Sequence, residues 1–207
     1  MSDYLLYCFA QSGNAYRAAL MLNLIGADWK PQWLDFFNAG VQRKPEFREG
    51  INEMGEVPVL VDGDRRLTQS GVILTYLARK TGKFLPQGED QELESLRWII
   101  FDNQKINGFL GPMRFLMNFA KPAGDPAVIG FLKARAQGNL AIVNKRLENS
   151  PFLLGDKPTI ADISMTGYLY YPAIGKWLER MQALPGWGHP YDLMPGYPFG
   201  TQGFRNQ

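Results

Sequence analysis

Near residue 80 the hydrophobic pattern of the chain changes period, so one uniform layer of secondary structure cannot accommodate it. Before that point short apolar runs alternate with helical ones. Tyr4–Phe9 is apolar and ends at Gln11-Ser12-Gly13-Asn14; Ala15–Ile25 is then apolar almost all round and closes at Gly26, which predicts strand, turn and helix. Gln32–Phe36 predicts a second strand and Pro45–Ile51 a short helix. Val57–Val61 and Arg66–Thr68 predict a hairpin through Asp62-Gly63-Asp64. Gln69–Lys80 predicts a helix with Val72, Ile73, Tyr76 and Leu77 on one face. Thr81–Gln91 is a connector rich in Gly, Pro and polar residues, and beyond it the patterns are long and helical: Glu92–Phe119, Pro126–Asn149 and Thr159 to about Met181. The expectation is an α/β domain of order βαβαββα over 1–80, a linker over 81–91, and an all-helical domain over 92–207 with an irregular C-terminal tail.

Composition removes several kinds of chemistry. At 207 residues and 45% hydrophobic the chain can bury a normal core without disulfides or a structural metal. Cys8 and His189 are the single residues of their types, which excludes a disulfide framework, a CxxC pair and a zinc cluster, and no metal is expected. A Ser-His-Asp triad would have to recruit His189 from a Pro- and Gly-rich tail. The 22 Lys plus Arg and 20 Asp plus Glu are scattered, which argues against a nucleic-acid partner. No apolar stretch approaches the roughly 18 residues of a membrane span, and Asp3 stands where a signal peptide would be positive. A cytoplasmic protein with no membrane partner is expected. The 13 Phe, 9 Tyr and 5 Trp suit a heavily packed core and equally an aromatic-lined pocket.

Three segments carry chemistry. Pro58 interrupts an apolar strand: it is either a harmless edge proline or, if Val57-Pro58 is cis, a device that turns the Val57 N–H and C=O toward an extended peptide. Gln69 and Ser70 open a helix, where a hydroxyl and unpaired N–H groups favour a carboxylate; Ser70 can equally be a plain helix cap. Ser12 precedes the first helix. Its hydroxyl and the amides of Gly13 and Asn14 can stabilise a thiolate brought by a ligand, or Ser12 can simply cap the helix.

In order and context these segments resemble the cytosolic glutathione transferases. The resemblance rests on Ser12-Gly13-Asn14-Ala15-Tyr16-Arg17, Glu56-Val57-Pro58-Val59-Leu60, Gln69-Ser70-Gly71-Val72-Ile73-Leu74-Thr75-Tyr76-Leu77 and Phe152-Leu153-Leu154-Gly155-Asp156-Lys157-Pro158-Thr159-Ile160-Ala161-Asp162. It implies a thioredoxin-like domain followed by an α-helical bundle, glutathione as co-substrate and a role in detoxification. By the same resemblance Ser12 activates the glutathione thiol, with Asn14 as its rival. Val57 pairs with the cysteinyl unit beside a cis Pro58, and Gln69 and Ser70 hold the γ-glutamyl end. Gln42, Lys44 and Glu56 lie in loops that line the glutathione cleft. Thr159 and Asp162 also read as a capping box in their own right, a folding feature.

A tyrosine or cysteine could serve instead of Ser12. Tyr7 and Cys8 stand near the end of the first strand on opposite faces, and Cys8 reads as a core thiol. The connection through Pro172, between Tyr168 and Trp177, is shorter than relatives have. The second-substrate pocket is expected between the Ser12 turn and the helix bearing Phe109, Met113, Arg114, Phe115, Met117 and Phe119. The tail from Pro185 is expected to be non-helical, with His189 structural. The resemblance implies a homodimer joined through 69–80 and 92–119. Three functions remain open: thiolate attack on a hydrophobic electrophile; glutathione-dependent reduction or aryl-ether cleavage; and a non-catalytic binding module.

Overall fold

The computed structural model describes residues 3–169 and 175–196. They form two compact units: one of residues up to Leu85 together with those from Met181, the other running from Pro86 to Arg180. The C-terminal segment thus groups with the first unit, whereas the sequence pattern assigned it to the helices. The connection at Pro172 lies outside the described residues.

In the first unit β1 (Tyr4–Cys8), α1 (Gly13–Leu24) and β2 (Trp29–Trp33) form a parallel βαβ, and α2 (Pro45–Gly50) leads to the antiparallel β3 (Val59–Asp62), β4 (Arg65–Thr68) and then α3 (Ser70–Thr81). The sheet order is β2-β1-β3-β4. Tyr4, Leu6 and Cys8 are buried while Leu5 and Tyr7 are half-buried, the period-two alternation that puts Tyr7 and Cys8 on opposite faces. The hairpin turns at Gly63, whose φ of 58° is the left-handed conformation a two-residue loop demands. The first helix is buried nearly all round, as its composition predicts, and Gly26 stops it at φ 72°.

The second strand is displaced from the predicted 32–36. β2 is a mostly exposed edge strand in which Lys30, Pro31 and Gln32 separate Trp29 from Trp33, so its apolar signal is weak, and its place is set by pairing with β1. Of the apolar residues that suggested the strand, Leu34 is buried and Phe36 is half-buried, its ring stacking on Phe9 with centroids 4.9 Å apart, while the neighbouring Phe37 meets Phe9 edge-on at 5.7 Å.

The second unit contains α4 (Gly88–Phe101), α5 (Asn107–Asn118), α6 (Pro126–Leu147), α7 (Ile160–Leu169) and the first residues of α8 (Gly175–Gln182). The single helix expected over 92–119 is divided by a π-helical turn at Asp102–Ile106, where the fully buried Asp102 accepts from Ser164 Oγ at 2.7 Å. The capping box forms as read: Asp162 Oδ2 accepts from Thr159 N at 3.0 Å and Thr159 Oγ1 accepts from Ala161 N at 3.3 Å. Asp162 also accepts from Leu153 N at 2.9 Å and Trp177 Nε1 at 3.0 Å, a hub joining the preceding loop, α7 and α8. Burial pushes its carboxyl pKa up and these N–H donors oppose the rise.

The tail is not wholly irregular. A one-turn helix, α9 (Pro190–Leu193), is capped by His189, whose Nδ1 accepts from Tyr191 N at 3.2 Å. The segment lies along α1: Tyr16 Oη donates to Gly188 O at 2.9 Å, Asn23 Nδ2 to Gly186 O at 2.6 Å, and Ala10 N to Pro195 O at 2.8 Å.

Candidate functional site

Two helix N-termini of the first unit carry serines that play different parts. At α1 Ser12 is the N-cap, with extended backbone (φ −85°, ψ 108°) and Oγ accepting from Ala15 N at 3.1 Å. It is 7% exposed. Capping occupies acceptor capacity and leaves the hydroxyl proton able to donate, so capping and a thiolate contact are compatible. Asn14 follows in the first turn and is half-buried.

At α3 Ser70 is not the cap. Gln69 holds that position and makes no side-chain cap bond. Ser70 is the first helical residue, 5% exposed, and its Oγ accepts from Arg17 Nη1 at 3.3 Å. Arg17 comes from α1 and is fully buried at 0% exposure. An N-terminus without a capping side chain, a serine hydroxyl and a buried guanidinium behind it are groups that favour an anion.

Gln69 has φ 65°, a conformation a side chain rarely adopts. Its Nε2 donates to Met54 Sδ at 3.1 Å and Glu56 Oε2 at 3.3 Å, so Gln69 and Glu56 stand together on the exposed side of the α3 N-terminus. Between them and the sheet, Val57–Pro58 is cis, and Val57 precedes the β1–β3 ladder, which begins at Val59. The Val57 backbone therefore takes no part in that pairing.

The loop before Val57 is shaped by Asn52, 2% exposed, whose Nδ2 donates to Glu56 O at 2.9 Å and whose Oδ1 accepts from Met54 N at 3.1 Å. Gly55 completes that loop at φ 68°, and a Cβ there would stand 2.8 Å from Gln42 O, so only glycine fits. Gln42 itself is 3% exposed; its Nε2 donates to Phe36 O at 3.2 Å while Oε1 has no hydrogen-bond partner. Lys44 is exposed and precedes α2.

Cys8 lies in the sheet core at 0% exposure, and burial pushes its thiol up to about 12, far from a nucleophile's range. Tyr7 packs edge-on against Phe47 at 6.3 Å on the opposite face. The residues expected in the second-substrate pocket, Phe109, Met113 and Arg114, are half-buried on α5 in the second unit, while Phe115 and Met117 are exposed. Arg114 stands over the Phe119 ring at 5.6 Å and Arg135 over the Phe109 ring at 5.5 Å. Among the described residues no group of three or more His, Cys, Asp and Glu could hold a metal ion, and no helix is long and apolar enough to cross a membrane.

Arg17 and Asn52 were absent from the sequence-derived site. Asn52 had a signal, the turn-forming Asn-x-x-Gly before Val57. Arg17 had only the oddity of a cation in an all-apolar helix.

Comparison with known proteins places the chain in a family. Residues 2–79 match the glutathione S-transferase N-terminal domain and residues 126–199 a C-terminal domain of the same family. The disulfide-bond oxidoreductase YfcG of Escherichia coli is 32% identical over 87% of this chain and 91% of its own. A glutathione S-transferase structure from Pseudomonas fluorescens superposes with a TM-score of 0.84 at 28% identity, covering 92% of this chain and all 100% of the other. A glutathione transferase from Burkholderia graminis, solved with two glutathione molecules per subunit, gives 0.74 at 28% identity over 89% of this chain and 80% of that one. With both domain matches in chain order and a relative of this identity aligned over most of both lengths, the chain belongs to the glutathione S-transferase family.

Proposed function

We propose that the protein binds glutathione in the first unit and uses its thiolate as a nucleophile toward a hydrophobic electrophile. The γ-glutamyl carboxylate sits on Ser70 and the first turn of α3, with Gln69 and Glu56 beside the ammonium. The cysteinyl unit pairs with the Val57 backbone, and the thiol lies at Ser12, or at Asn14 if Ser12 only caps. The observation that carries this reading is the α3 N-terminus that no side chain caps, with Ser70 held from behind by Arg17. The family's solved relatives with glutathione bound support the choice of ligand.

The relationship to YfcG favours a second reaction of the same thiolate, reduction of a disulfide. One glutathione thiolate attacks a sulfur of the disulfide and expels the other as thiolate. A second glutathione then resolves the mixed disulfide, leaving two thiols and oxidised glutathione. The protein's own Cys8 is too deeply buried to take part, so both reducing equivalents come from glutathione.

Exposed Leu93, Leu96 and Ile100 form a stripe along α4, and Val72 is exposed on α3; these fit a homodimer contact in a cytoplasmic protein. Calorimetric titration with glutathione, followed by rate measurements with an activated aryl halide and with a small disulfide, tests the proposal. Binding that Ser70→Ala weakens about tenfold or more, with turnover of either substrate, is the expected result. Absence of binding by the wild-type protein would overturn it.

A further inference from the structure

We propose that Arg17 is a positioning residue for the carboxylate subsite, acting through Ser70 on any ligand that presents a free α-carboxylate there. The inference rests on the glutathione reading above and adds a residue to it. Arg17 lies five residues beyond Ser12 on α1, roughly 7.5 Å along the helix axis. Its neighbours in sequence on α1, Ala15, Ala18, Ala19, Leu20 and Met21, are all buried. A guanidinium at 0% exposure bears a large desolvation cost unless it is hydrogen-bonded, and Ser70 Oγ is one of its acceptors.

What it does with its position follows from its hydrogen-bonding inventory. A guanidinium has donors only, so in the 3.3 Å contact Ser70 Oγ is the acceptor. The single hydroxyl proton of Ser70 is then directed away from Arg17 and remains available to a ligand oxygen. Donation by a charged group polarises that O–H and makes it the stronger donor. The charge also adds to the positive end of α3, which no side chain caps. Being buried, it is screened by salt far less than a surface lysine would be. The pair therefore reads a carboxylate, and Ser70 alone would read it less well.

The test compares glutathione with its analogue in which the γ-glutamyl α-carboxylate is a carboxamide, using calorimetry on the wild type, Arg17→Met, Arg17→Lys and Ser70→Ala, with melting curves as the check on folding. Arg17→Met is expected to weaken glutathione about 10- to 100-fold while changing carboxamide affinity by less than about threefold. Arg17→Lys, which keeps the charge and donors, recovers most of the loss. Adding Ser70→Ala to Arg17→Met costs less than Ser70→Ala does alone, because the two act in series.

Equal weakening of both ligands in a folded Arg17→Met protein would make Arg17 a structural residue and overturn the proposal. So would unchanged glutathione affinity. Wild-type protein that binds neither ligand would instead overturn the glutathione reading, and Ser70→Ala losing affinity while Arg17→Met does not would reject Arg17 alone. If Arg17→Met does not fold, the guanidinium resonances of Arg17 in the wild type decide: they shift on adding glutathione and stay in place with the carboxamide, and the absence of a shift with glutathione rejects the proposal.

Discussion

Replacing Ser12 by alanine and by glycine separates its two tasks. As N-cap of α1 the side chain accepts from Ala15 N at 3.1 Å, and losing that bond to alanine costs about 1 kcal/mol, whereas glycine at an N-cap costs only a few tenths. For a chain of 207 residues 1 kcal/mol lowers the melting temperature by about 2 to 4 °C. Both substitutions remove the hydroxyl from the thiolate. Lowering a thiol pKa from about 8.5 to about 6.5 requires roughly 2.7 kcal/mol, and one hydrogen bond to a charged acceptor supplies about 1.5 to 3. Without it the ionised fraction at pH 7 falls from about three quarters to about 3%, roughly a 25-fold loss of turnover. The two variants should therefore share one displaced pH–rate profile and differ in melting temperature. Turnover that follows melting temperature, with the glycine variant near wild type, would show that Ser12 serves only the helix. Wild-type rates in both would move the thiol contact to Asn14 or a backbone amide.

Asp162→Ala removes the acceptor of Leu153 N, Thr159 N and Trp177 Nε1 and of the longer contact from Thr159 Oγ1; at about 1 to 3 kcal/mol for each of the three orphaned N–H donors, urea unfolding should show a loss of about 3 kcal/mol or more, and less than about 1 would contradict the hub. Gly55→Ala forces a Cβ to 2.8 Å from Gln42 O at φ 68°, so a lower melting temperature by about 1 to 2 kcal/mol of stability and weaker glutathione binding are expected together. Unchanged values would mean the loop yields. Cys8 should resist thiol reagents at pH 8 until the chain unfolds. Its thiol lies at about 12 in the fold against 9.0 for an ordinary one, so above pH 9 the unfolded state binds fewer protons and stability falls as pH rises toward 12. The full contribution is about 4 kcal/mol, and a Cys8→Ala protein with the same pH dependence over that window would contradict it.

The sequence disclosed those parts of the fold whose signals are local. The turn at Ser12 follows a short, wholly apolar run, the hairpin carries its own Gly63, and the Thr159–Asp162 cap is written in four residues. What escaped depends on distant partners. β2 is mostly exposed and its two tryptophans are separated by Lys30, Pro31 and Gln32, so its own residues give a weak strand signal and pairing with β1 sets its place. The π-helical turn at Asp102 accompanies a contact with Ser164, sixty-two residues away. The tail joins the first unit through backbone carbonyls of Gly186, Gly188 and Pro195, which have no side-chain signature.

The site shows the same division. Ser12, Val57, Pro58, Gln69 and Ser70 became candidates together, because their order along the chain resembles the family; each serine by itself reads equally as a helix cap. Whether each serine caps its helix could not be told from the sequence, since Ser12 does and Ser70 does not. Arg17 reads in sequence as one cation in an apolar stretch, and only the packing of α1 beside the α3 N-terminus gives it Ser70 as a partner. Gln42, expected from the resemblance to line the glutathione cleft, is buried and donates to Phe36 O, a tie to a residue six positions away that its own sequence position does not announce.

The central claim is that this chain binds glutathione and ionises its thiol. Titrating the ultraviolet thiolate absorbance of glutathione against pH, with and without the protein at saturating concentration, tests it directly. The account predicts a bound thiol ionising near 6.5, about two units below the free value, and a return toward 8.5 in Ser12→Gly. Glutathione that binds but ionises at its free value, or does not bind at all, would contradict it.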